Sequence, residues 1–78
     1  MKIHVKYFGQ VAEAVGKTEE VLDLEKGTNL QDFKTRQVRA YRIPDPHSVQ
    51  IAVNQDLMEE KDLEEGDEIA FLPPFAGG

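Results

Sequence analysis

The residues with the most distinctive chemistry in this chain are the ones that close it: Pro73-Pro74-Phe75-Ala76-Gly77-Gly78. Two prolines in a row hold a stiff, extended stem. Phe75 offers one hydrophobic anchor, and Ala76 beside it is small. Gly77 and Gly78 lack Cβ atoms, so backbone built from them fits a narrow channel and approaches a reacting centre closely. Six such residues reach about 20 Å when extended. The expected functional group is the free carboxylate of Gly78, a chain end to be inserted into the active site of another protein. The competing reading is an inert end.

The remaining residue types offer little chemistry. There is no cysteine, which excludes disulfides, a thiolate nucleophile and a cysteine-based metal site. His4 falls on the polar parity of an N-terminal strand, and His47 lies between prolines and a serine; neither has an orienting partner or ligand spacing. No glycine-rich phosphate loop is present, and the acidic stretch lacks the spacing and central glycine of a calcium loop. Ser48 is the only serine. No metal site and no bound cofactor are expected, and no autonomous enzymatic activity.

At 78 residues the chain is one small domain with a modest core. The opening Met1-Lys2-Ile3-His4-Val5-Lys6 alternates and lacks a signal-peptide core, so a cytoplasmic protein is expected. The formal net charge of −6 argues against nucleic acid and anionic membranes as partners. Between Asp56 and Glu68 eight acids face one base, Lys61, whereas Lys34, Arg36, Arg39 and Arg42 outnumber Asp32 between Leu30 and Ile43. Such runs are either solvated faces or a docking surface for a basic partner. The second reading nominates Glu59, Glu60, Glu64 and Glu65 as partner-docking residues.

To position the tail, the chain needs a sheet. Ile3, Val5 and Tyr7 alternate with Lys2, His4 and Lys6, a half-buried strand over residues 2–8. A short helical turn follows over 10–15, with Val11, Ala14 and Val15 facing inward. Residues 18–24 read as a second strand, Leu22 and Leu24 sharing a face. Thr28 and Gln31 have the spacing of a capping box, which predicts a helix over 29–41. Its apolar positions are Leu30, Phe33, Val38, Ala40 and Tyr41, a stripe interrupted by Lys34 and Gln37. Pro44 and Pro46 argue against regular structure nearby. Val49, Ile51 and Val53 form a third strand, Asn54-Gln55-Asp56 turns, Leu57-Met58 is a brief return strand, and Glu68–Leu72 is the last strand before Pro73-Pro74. This order predicts an α+β fold: a mixed four- to five-stranded sheet packed on one long helix, with a domain over 1–72 and a functional tail over 73–78.

The segment LEEGDEIAFLPPFAGG (63–78), together with VKYFG (5–9), GKTEEVLDLEKGTNL (16–30) and IAVNQ (51–55), resembles the ubiquitin-like sulfur carriers, closest to the small-subunit type of molybdopterin synthase. The resemblance spans essentially the whole chain and implies the β-grasp fold. It also implies a role in molybdenum cofactor biosynthesis. An E1-like adenylyltransferase would use ATP to adenylate the Gly78 carboxylate, and a sulfur donor protein would convert the adenylate to a thiocarboxylate. The tail, Pro73 to Gly77, would then enter the large synthase subunit, where the sulfur attacks a pterin precursor. Two features depart from the family: the long helix is poorer in leucine and alanine, and Asn54-Gln55 replaces a more usual Asn-Gly turn. Carriers of thiamine synthesis or tRNA thiolation, and ubiquitin-like protein modifiers, share the fold, and a non-enzymatic β-grasp interaction domain is the reading from another class.

Overall fold

A computed structural model describes residues 1–74. The elements run β1 (Lys2–Tyr7), α1 (Gly9–Val15), β2 (Glu19–Asp23), α2 (Leu30–Tyr41), a single 3-10 turn (Pro46–Ser48), β3 (Gln50–Val53), β4 (Asp56–Leu57) and β5 (Glu68–Leu72). The sheet has five strands in the order β2-β1-β5-β3-β4. β1 and β5 pair in parallel at its centre, and every other neighbouring pair is antiparallel. The architecture is the α+β ubiquitin-like β-grasp, with the one long helix α2 and the short helix α1.

Strand parity decides what is buried. Ile3, Val5 and Tyr7 of β1, Ile69 and Phe71 of β5, and Ile51 and Val53 of β3 all lie in the core, with Leu30 and Phe33 of α2. Phe33 is wholly buried and stands nearly edge-on to Phe71, ring centroids 6.0 Å apart. Truncating a buried phenylalanine to alanine costs about 3–5 kcal/mol, a large part of the ~5–15 kcal/mol that holds a domain folded. In α1, Val11 and Val15 lie one turn apart and both are buried. Ala14 and Ala40, expected inside, are exposed because they sit on the outer sides of α1 and α2.

The interrupted stripe of α2 has a physical resolution. Gln37 is only 4% exposed, and its side-chain amide donates to the Tyr7 hydroxyl at 2.8 Å. The Tyr7 and Tyr41 hydroxyls donate to the same oxygen of Glu20, at 2.6 and 2.7 Å. Lys17 reaches the other Glu20 oxygen at 3.2 Å. Gln37 is thus core-facing but polar, because a tyrosine hydroxyl projects from β1 to meet it. Lys34 lays its stem along the protein and donates to the Val49 carbonyl at 2.9 Å. Burial opposes the Glu20 charge, but the bonds from Tyr7, Tyr41 and Lys17 outweigh it and hold the carboxyl below its ordinary pKa. Burial, and then the Glu20 carboxylate, push the Tyr7 phenol far above its usual range.

Other local details differ from the sequence reading. The cap of α2 is Asn29, whose side chain accepts from the Asp32 N–H at 2.9 Å; Thr28 instead donates to the Glu25 carbonyl at 2.7 Å. Capping one residue later than the Thr28–Gln31 spacing suggested leaves Gln31 free to donate to the Glu59 carbonyl. The IPDPHS segment is not irregular throughout, since Pro46 opens the 3-10 turn, where its missing N–H is not needed. The return strand is Asp56–Leu57, joined to β3 by a two-residue loop in which Asn54 and Gln55 both have positive φ, 51° and 75°. Such a loop suits glycine at its second position. Here Asn54 offsets the strain by accepting from the Glu68 N–H and donating to Asp67, both at 3.0 Å.

A carboxyl held below its unfolded pKa contributes stability that is complete above the ordinary carboxylate pKa of about 4.3 and is lost as pH falls through the lowered folded value. Urea unfolding measured between neutral and acid pH is therefore expected to show stability falling below that range, with part of the slope absent in Glu20→Gln. An unchanged slope in that variant would show that the Glu20 network is not a source of the acid dependence.

Candidate functional site

The site is built where β5 ends. This strand is flanked by β1 and β3, so the chain leaves from the middle of the sheet. Tyr7 pairs with Phe71, and the Phe8 N–H donates to the Phe71 carbonyl at 3.1 Å, the last tie between β1 and β5. Leu72 pairs with Gln50 on the other side. Pro73 then offers no N–H to extend the ladder, so the chain must part from the sheet there. Pro73 and Pro74 form one wall of a shallow cleft of about 90 Å³ whose other walls include Val11, Ile43, Pro44 and Val49. Phe75, Ala76, Gly77 and Gly78, the expected anchor and reactive end, lie outside the described residues.

The face of the sheet away from α2 carries a second feature, one the sequence reading passed over. Lys6, Ala70, Ala52 and Leu57 form a row across four strands, each paired with the next. Leu57 is 58% exposed, and Phe8, just beyond β1, is 44% exposed. Exposed Leu57 and Phe8 flank half-buried Ala70 and buried Ala52, a partly apolar surface on the face from which β5 runs to the tail root. The available signal was parity: Ala70 and Leu72 alternate with the buried Ile69 and Phe71, so they face outward despite being apolar.

The acidic run divides into two kinds of residue. Asp67 is 6% exposed and accepts from Lys61 at 2.8 Å, Asn54 at 3.0 Å and the Glu64 N–H at 2.9 Å. Burial raises its pKa, but these three donors together hold it below the usual aspartate value, and the Asp67 carboxylate in turn raises that of Lys61. Glu60 accepts from the N–H groups of Leu30 and Gln31 at 3.1 and 3.4 Å, so it caps α2 from a different segment. Glu65 accepts from the Lys2 N–H at 3.0 Å. Glu59 and Glu64 are exposed, with no side-chain hydrogen bond among the described residues. Two of the four nominated docking acids therefore have structural partners.

His4 and His47 are both exposed, and among the described residues no cluster of histidine and carboxylate side chains could hold a metal ion. No helix among them is long and apolar enough to cross a membrane.

A five-stranded sheet grasping α2, with the chain departing from the centre of the sheet at a Pro-Pro stem, defines a ubiquitin-like β-grasp protein. Its fold superposes on SAMP1 from Haloferax volcanii with a TM-score of 0.82 over 100% of both chains, at 20% sequence identity. The chain belongs to the ThiS family, whose model matches residues 5–78. It is 31% identical to the molybdopterin synthase sulfur carrier subunit of Chlamydomonas reinhardtii over 100% of both chains. It is 38% identical to the subunit of that name from Mycobacterium tuberculosis, over 100% of this chain and 99% of the relative.

The division of the acids yields a direct test. Glu60→Ala is expected to lower folding stability by about 1 kcal/mol, the scale of a lost helix cap, whereas Glu64→Ala should leave thermal unfolding nearly unchanged. Equal effects of the two substitutions would show that Glu60 does not cap α2.

Proposed function

We propose that this chain is the sulfur-carrying small subunit of a molybdopterin synthase, working in the cytoplasm in molybdenum cofactor biosynthesis. The observation that carries this reading is the end-to-end similarity to two sulfur carrier subunits, and a Pro-Pro stem leaving a central strand supports it. The Gly78 carboxylate is the reacting group. A carboxylate is a poor electrophile, so an E1-like adenylyltransferase activates it with ATP; a sulfur donor then displaces AMP and leaves a thiocarboxylate. Its sulfur is a good nucleophile carried on a positioned arm. In the large synthase subunit it attacks the pterin precursor. The carrier itself binds no cofactor, and ATP belongs to the activating partner.

The globular part supplies recognition. Pro73 to Gly77 thread the partner's channel, with Phe75 as the anchor. The open face bearing Leu57, Ala70 and Phe8 adjoins the tail root, so a partner that takes in the tail covers it. The exposed acids Glu59 and Glu64 steer a basic partner toward that face. Glu60 and Glu65 add charge to the same field while holding α2 and β1 in place.

Removing Gly78, or adding one residue after it, is expected to abolish sulfur transfer while leaving the unfolding curve unchanged. Intact mass spectrometry of the carrier from cells should show a population in which one oxygen is replaced by sulfur. Full transfer by the extended carrier would exclude a free terminus as the reacting group.

The charge reading has its own measurement. Glu59→Gln with Glu64→Gln should slow association with the large subunit at low salt, and the difference from wild type should shrink as salt screens charges over about 8–10 Å. Equal association rates at low salt would remove these two acids from the docking surface.

A further inference from the structure

We infer that Gly9 is a positioning residue for the tail: the space left by its missing side chain seats Pro73 and sets the direction in which the chain leaves the sheet. The role is one within the sulfur-carrier reading above and rests on it.

Four glycines of the described chain have positive φ: Gly9, Gly16, Gly27 and Gly66. A Cβ added at Gly16, Gly27 or Gly66 would meet nothing within 4 Å, so those three serve their own turns. Gly9 differs. A Cβ there would stand 3.0 Å from Cγ of Pro73, 3.6 Å from its Cβ and 3.8 Å from its Cδ. The space of one absent side chain is therefore filled by a single proline ring from the far end of the sequence.

That ring cannot yield as a flexible side chain would. It is closed onto its own backbone nitrogen, so moving the ring moves the chain. The strand behind it cannot absorb the shift either, because the Phe8 N–H holds the Phe71 carbonyl at 3.1 Å and Leu72 is paired with Gln50. Gln10, Val11, Ile43 and Pro44 line the cleft of which Pro73 and Pro74 form a wall. A displacement at Gly9 must consequently appear as a change in exit angle. Six residues held extended would reach about 20 Å, so a tilt of about 5° at Pro73 would move their end by about 1.7 Å. Displacement by about 1 Å at a reacting centre can cost about 100-fold in rate.

The test is a double-mutant cycle in the intact carrier, loaded as the thiocarboxylate and assayed with the synthase large subunit. Gly9→Val is expected to lower kcat about tenfold or more while leaving the affinity for the large subunit within about twofold, since orientation is lost and the docking face is kept. Pro73→Ala removes the atom in closest approach but not the strain of a side chain at φ 53°, so Gly9→Val should cost clearly less in the Pro73→Ala background than in the wild type. Wild-type kcat in Gly9→Val, or losses that multiply independently, would overturn the inference. Should Gly9→Val not fold, Gly9→Ala asks a few tenths of an ångström of Pro73 and adds the strain of a side chain at φ 53°; it should lower kcat about twofold to threefold, and the part of that loss reversed by Pro73→Ala reports the seat.

A second readout does not depend on sulfur chemistry. In the free wild-type carrier, NMR should show a nuclear Overhauser contact from the Gly9 α-protons to the Pro73 ring, and Gly9→Ala should shift the amide signals of residues 75–78. Absence of that contact overturns the role of Gly9 whatever the chain carries. A wild-type carrier that never transfers sulfur, yet shows the contact, overturns the proposed function and upholds the seat for Pro73.

Discussion

The parallel pairing of β1 with β5 is the constraint on which the rest of the structure depends. It joins the first strand to one more than sixty residues later, His4 with Glu68 through Tyr7 with Phe71. Until β5 inserts between β1 and β3, the sheet is two separate hairpins and Phe33 has no Phe71 to pack against. Such long-range pairing carries a large entropy cost that burial has to offset. Here the burial comes from alternate residues of β5, Ile69 and Phe71, both wholly inside the core. The same insertion places the Pro-Pro stem at the middle of the sheet. Fold closure and tail placement are thus one event.

Polar groups complete the closure around this core. Asp67 stands just before β5 and gathers Lys61, Asn54 and the Glu64 N–H, which ties the β3–β4 hairpin to the approach of the last strand. Glu60 closes the N-terminus of α2 from the same region. On the opposite side, Glu20 takes hydroxyls from β1 and α2 together. No buried side-chain nitrogen or oxygen among the described residues lacks a partner, which is how a small core tolerates buried Gln37 and Asp67 and half-buried Glu20 at its edge. These bonds also explain why an acidic run need not be only a recognition surface: part of it neutralises donors that the fold would otherwise leave open.

The arrangement separates two demands. In the proposed role the domain has to be rigid so that the direction of exit at Pro73 is defined, and the chain has to leave the sheet there. Hydrogen-bonded pairing continues to Phe71 and Leu72 and then stops at a residue without an N–H. Proline both ends the ladder and stiffens the stem beyond it, so one residue type meets both demands.

Much of this was legible in the sequence. Alternation along 2–7 and 68–72, the periodicity around Leu30 and Phe33, and the glycine and proline punctuation identify the strands, the main helix and the start of the tail, because those patterns reflect local geometry and which face is buried. The reading of the tail rests on residue types rather than on contacts, and Phe75 to Gly78 lie outside the described residues. What only the tertiary structure decided involves partners distant in sequence. Gln37 could be placed inside only once Tyr7 was seen to meet it, and Glu60 became a cap only once residues 59–61 were brought to the start of α2. Asn29 rather than Thr28 caps that helix because both side chains satisfy the same local spacing rules, and only the assembled backbone chooses between them. Gly9 looked like one more turn glycine. That its empty side is filled by Pro73 depends on β1 and β5 running in parallel, a pairing no local pattern encodes.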